Sequence, residues 1–97
     1  MIILINILLF SIGISGDYTE RYYQSMDRGI IMFESSETEE DFLKTSNLFY
    51  RISHVMKSDW LSSYYYAYSN TSLSMMQDDP DIKEEYLDKA FEILAPF

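Results

Sequence analysis

A chain of 97 residues makes one small domain that buries only about 60% of its unfolded surface, so a large enzyme fold is excluded. Apolar residues make up 47% and charged residues 24%, with nine Tyr and six Phe to fill a core, which is the composition of a globular chain rather than a disordered one. A net charge of -9 repels phosphate chains and anionic bilayers, the lack of Cys removes disulfides, thiolate zinc sites and Cys nucleophiles, and a single His offers no metal cluster. Neither a nucleic-acid partner, nor a cofactor, nor a metal is therefore expected.

Residues 1–16 carry no charged side chain and hold an apolar stretch of roughly 13 residues, interrupted by Asn6, where a bilayer span needs about 20. Ser11, Gly13, Ser15 and Gly16 follow, and a signal peptidase needs small side chains one and three positions before its cut. The expectation is a cleaved signal peptide over 1–16 and a mature chain starting between Ile14 and Asp17, although the n-region lacks Lys and Arg. A buried first helix or strand and an uncleaved anchor are the alternatives. Export to a periplasm or medium follows from the first reading, with no stable membrane insertion of the mature chain.

Asp17-Tyr18-Thr19-Glu20 has the pattern of a capping box, which predicts a helix from Tyr18 with Tyr18, Tyr22, Met26, Ile30 and Phe33 on its dry face. Gly29 costs about 1 kcal/mol against Ala inside a helix, so its presence predicts a close crossing. Ser35-Ser36-Glu37 breaks the stripe, and Thr38, followed by Glu39, Glu40 and Asp41, starts a second helix running to about Lys57. That helix is apolar round most of its circumference, with Lys44, Asn47, Arg51 and His54 as its narrow wet strip.

Ser58 or Asp59 caps a third helix, whose stripe of Trp60, Tyr64, Tyr68, Thr71 and Met75 is expected to pack inward, leaving Tyr66 and Leu73 on the opposite side. Asp79 and Pro80 occupy the cap and first position of a fourth helix. Its apolar half holds Ile82, Tyr86, Leu87, Ala90, Phe91, Ile93 and Leu94, and its other half Glu84, Glu85, Asp88, Lys89 and Glu92.

Offsetting the chain by 37 residues sets Tyr23 on Trp60, Ile30 on Ala67, Phe49-Tyr50 on Tyr86-Leu87 and Ser53 on Ala90. Repetition of that length marks helix-hairpin solenoids, in which a small residue late in each pair lets the next pair approach. From Asp17 onward the chain resembles the tetratricopeptide repeat (TPR) family: Leu87 and Ala90 stand at its large and small positions, Pro96 within a residue of its terminal proline, and Trp60 at its opening aromatic. Phe49-Tyr50-Arg51-Ile52-Ser53, with Asp59-Trp60-Leu61 and Tyr64-Tyr65-Tyr66-Ala67, is similar to divergent exported bacterial members of unknown function. The resemblance implies an all-α fold of two stacked antiparallel hairpins, about 18–57 and 59–95, in a short TPR-like α-solenoid.

Catalysis has no positive signal. Asp78-Asp79-Pro80-Asp81 lacks the turn Gly and the twelfth-position carboxylate of a calcium loop, and His54 has no Ser or Asp arrangement around it. Successive residues on a helix point about 100° apart, so Tyr64, Tyr65 and Tyr66 cannot form one platform, and Tyr66 is the ring expected to face outward. Two non-catalytic readings follow. One is an interaction or scaffold module that holds a protein or peptide on a face lined by Arg28, Ser63, Tyr66, Asn70 and Leu73. The other is a self-assembling unit, a homo-oligomer or part of a longer array, joined through the apolar edge of the last helix at Phe91 and Leu94.

Overall fold

The computed structural model describes residues 2–97, with side chains from Thr19 onward. Its described residues form four helices and no strand: α1 (Ile2–Ser35), α2 (Glu39–Val55), α3 (Trp60–Met75) and α4 (Pro80–Leu94). The side chains of the expected signal peptide, 1–16, lie outside the described set. The helix start expected at Tyr18 is corrected, because α1 runs through that position unbroken, and a capping box needs an extended residue at the cap.

The other starts follow local chemistry. Thr38 is extended (φ -104°, ψ 163°), and its hydroxyl accepts from the Asp41 N–H at 3.1 Å while the Asp41 carboxylate accepts from the Thr38 N–H at 3.1 Å. Asp59 caps α3 by accepting from the Ser62 N–H at 3.0 Å. Asp79 caps α4 by accepting from the Asp81 N–H at 2.9 Å, with Pro80 at the position that needs no donor.

Successive helices run antiparallel: α1 packs on α2, α2 on α3 and α3 on α4, and the C-terminal part of α1 also reaches α3. Met26, Leu48, Phe49, Ile52 and Tyr66 form the central cluster, with Ile30, Phe33, Leu61, Tyr65 and Ile93 packed against it. Phe49 is fully buried and stacks on Tyr65 with centroids 5.0 Å apart and planes 16° apart. Gly29 makes the α1–α2 crossing close: a Cβ there would stand 2.7 Å from Phe49 Cζ and 2.8 Å from Cε1.

The orientation of α3 overturns the expectation. Trp60, Tyr64, Tyr68 and Met75 are exposed, Trp60 at 60%, whereas Ser62, Ser63, Tyr66, Ala67, Ser69, Asn70, Leu73 and Ser74 are buried. The inward face of α3 is thus the small one. Serine and alanine let two backbones approach closely, and the serine hydroxyls satisfy themselves on their own helix, as when Ser69 donates to the Tyr65 carbonyl at 2.8 Å. A stripe of rings would hold the helices apart, and Trp60, at the first turn of α3, lies on the surface instead of packing inward.

Candidate functional site

The residues expected to line a partner face are not brought together. Ser63, Tyr66, Asn70 and Leu73 follow one another at spacings of three and four on α3, but that row is the buried one. Asn70 is 1% exposed, and its amide donates to Ser46 Oγ at 3.2 Å and to the Tyr66 carbonyl at 2.9 Å, which pins α3 to α2. Tyr66, expected to face outward, packs against the Tyr50 ring at 5.2 Å, and burial pushes its phenol pKa up. Of the expected set, Arg28, Phe91 and Leu94 are exposed, and they belong to two separate grooves.

The first groove lies between α3 and α4 and has a volume of about 270 Å³. Tyr64, Ala67, Tyr68 and Thr71 form one wall, and Leu87, Ala90, Phe91 and Leu94 form the other. Because the helices are antiparallel, Tyr64 lies toward Leu94 and Thr71 toward Leu87. Ala90 is buried against α3, while Phe91 is 70% exposed and Phe97 57%. Directly beyond Phe91 round the helix come Glu84 and Asp88, at about 20° and 60°, so an acidic strip borders the apolar one. Lys89 lies on the far side, with its ammonium 5.3 Å from the centre of the Tyr86 ring.

The second groove lies between α1 and α2 and measures about 350 Å³. Its floor is Leu48, Ile52, Val55 and Met56, and its rim carries Arg21, Arg28 and Arg51, which are all of the chain's arginines. Arg21 and Arg28 stand two turns apart, about 10.5 Å along α1, and Arg51 faces them from α2. No described carboxylate pairs with any of the three, since the ion pair among described side chains is Lys44–Glu40 at 3.6 Å. Three exposed cations round an apolar floor concentrate positive charge on an otherwise acidic chain. Only Arg28 was singled out from sequence. The missed signal was that Arg21 and Arg28 on one wet strip and Arg51 on another come opposite each other once the helices pair antiparallel.

Below this groove Tyr22 ties α1 to the start of α3, donating its hydroxyl to Asp59 Oδ2 at 2.8 Å. Burial and then the Asp59 bond raise the Tyr22 pKa, so it stays a donor at neutral pH. Burial also disfavours the charged form of Asp59, but donors from Tyr22, Ser62 and Leu61 together outweigh it and hold the carboxyl below its ordinary range. This is a structural tie between α1 and the start of α3. No group of three His, Asp or Glu side chains among the described residues could hold a metal ion. His54 is exposed beside the Tyr50 ring at 5.4 Å. No helix of the described residues is long and apolar enough to cross a membrane.

No family model, curated protein or solved structure matches the chain.

Proposed function

We propose that the chain is a non-catalytic protein–protein interaction or scaffold module, TPR-like in its use of helical hairpins and exported to a periplasm or medium. The observation that carries the reading is the row Leu87, Phe91 and Leu94 on α4, left exposed next to Tyr64 and Tyr68. Large apolar side chains grouped on one surface are uncommon on a soluble monomer and mark contact sites. A groove between two antiparallel helices suits an amphipathic helix of the partner, whose apolar anchors would enter at spacings of three and four. Export rests on the apolar segment and small residues of 1–16.

A photoreactive amino acid placed at Leu94, with the same group at exposed Glu85 as control, tests the reading. The expected result is an adduct from position 94 that maps to an amphipathic helix and disappears with Phe91→Glu. Equal labelling from both positions would overturn it. A second reading, a self-assembling helical unit, is favoured by the opposite charges of the two grooves.

A further inference from the structure

We infer that the α1–α2 groove is the receptor for the α4 edge of a second copy of this chain, so that copies join head to tail. The inference rests on the reading of α4 as a docking surface and names the surface it docks on. Two independent features fit each other. The α4 edge is an apolar row, Leu87, Phe91 and Leu94, bordered by the carboxylates of Glu84 and Asp88. The groove is an apolar floor bordered by Arg21, Arg28 and Arg51. Apolar meets apolar and negative meets positive.

The distances agree as well. Asp81 and Asp88 lie two turns apart, about 10.5 Å along α4, the separation of Arg21 from Arg28, and Glu84 stands between them. A single small carboxylate could not reach all three arginines, whereas a helix with repeated acids can. Guanidinium groups suit this contact because they bind carboxylates in a bidentate fork and are weakly hydrated. Among the described acids of α1, Glu20 and Asp27 fall about 100° round the helix from the arginines beside them and Glu34 about 120° from Arg28, so none of the three shares the arginines' face.

The chain carries -9 overall, which opposes approach of two copies at random orientation. Charge is screened within about 8 Å at physiological salt, so the local pairing sets the geometry while long-range repulsion is weak. Because the two surfaces differ, the contact is heterologous, and it makes rings or open chains rather than a closed two-fold dimer. Raising salt is expected to weaken it through loss of the Arg–carboxylate pairs.

Sedimentation velocity on four versions of the full chain tests the inference. Wild type should show a concentration-dependent ladder of species, while Arg28→Glu/Arg51→Glu and Phe91→Glu should each be monomeric with helicity retained. An equimolar mixture of the two variants should give the one-to-one heterodimer and stop there, since the first keeps its α4 edge and the second keeps its groove. Adding Glu84→Lys/Asp88→Lys to the arginine variant should restore the ladder. A ladder that Phe91→Glu abolishes but Arg28→Glu/Arg51→Glu leaves intact would overturn the groove assignment and leave α4 as the docking surface. A wild type monomeric at all concentrations, with cross-links from Leu94 only to other proteins, would overturn self-docking and keep the interaction-module reading.

Discussion

Replacing Gly29 with Ala separates local propensity from packing, because the two pull in opposite directions. In an isolated helix the change should stabilise by about 1 kcal/mol, since glycine loses the most backbone entropy on becoming helical. Here the added Cβ would meet Phe49 Cζ at 2.7 Å and Cε1 at 2.8 Å. The ring has nowhere to withdraw to, because it is fully buried and stacked on Tyr65. Forcing an extra carbon into a packed core costs about 1 to 3 kcal/mol, and two such close approaches to a trapped ring argue for the upper half of that range. The expected net result is a loss of about 1 to 2 kcal/mol, seen as a lower urea midpoint at unchanged m. For a domain of this size each kcal/mol moves Tm by about 4 to 8 °C, so the change is easily read. In a Phe49→Leu background the same substitution should become neutral or stabilising, as the clash goes and the propensity gain stays. A higher urea midpoint for Gly29→Ala in the wild-type background would refute the close crossing of α1 and α2.

The Tyr22–Asp59 tie should show as a coupling: Tyr22→Phe is expected to cost about 1 to 2 kcal/mol, Asp59→Ala about 2 to 3 kcal/mol because it also removes the α3 cap, and the double mutant less than their sum in a urea double-mutant cycle. Asp59 has a folded pKa below its ordinary value of 3.8, so its contribution is fully present above about pH 4 and is lost as pH falls through the folded value; acid titration of the urea midpoint should be shallower in Asp59→Asn. Trp60→Ala should cost less than about 1 kcal/mol, since the ring is mostly in water and meets Tyr64 edge-on at 6.4 Å; a loss of several kcal/mol would restore the inward position expected from sequence. If copies dock head to tail, calorimetric Tm should rise with protein concentration for wild type and not for Phe91→Glu.

The helix boundaries were legible wherever they depend on a few adjacent atoms. Thr38 with Asp41, Asp59 with Ser62, and Asp79 with Pro80 each satisfy donors within one turn, so no knowledge of the tertiary fold is needed to find them. Gly29 was legible for a related reason, because a helix interior tolerates glycine only where something approaches. The face that α3 buries was not legible. Two stripes compete on that helix, one of rings and one of Ser, Ala and Asn, and size favours the first by apolar area and the second by close approach. Asn70 decides the matter through a bond to Ser46, 24 positions away, which no local pattern contains. The arginine groove was hidden in the same way. Arg21, Arg28 and Arg51 read as solvated positions on two separate helices, and they form one site only when α1 and α2 are paired antiparallel.

Burying small polar residues has a consequence for the surface. Thr45, Ser46, Ser53, Ser62, Ser63, Ser69, Asn70 and Ser74 are all buried, and no buried side-chain N or O among the described residues lacks a partner. Most of those bonds run to carbonyls three or four residues back on the same helix, so they stop polar burial from being costly without holding two helices together. The α2–α3 contact therefore draws its stability from close van der Waals approach and from a small number of large groups, chiefly Phe49, Tyr66 and Leu73. Meanwhile Tyr64, Tyr68, Phe91 and Trp60, which carry much of the chain's transferable apolar area, stand outside that contact. A domain built this way holds its fold with a modest core and leaves large hydrophobic groups on its surface. Stability and binding are then linked, because anything that covers the α4 edge binds the folded form and not the unfolded one, and raises the folding free energy by mass action.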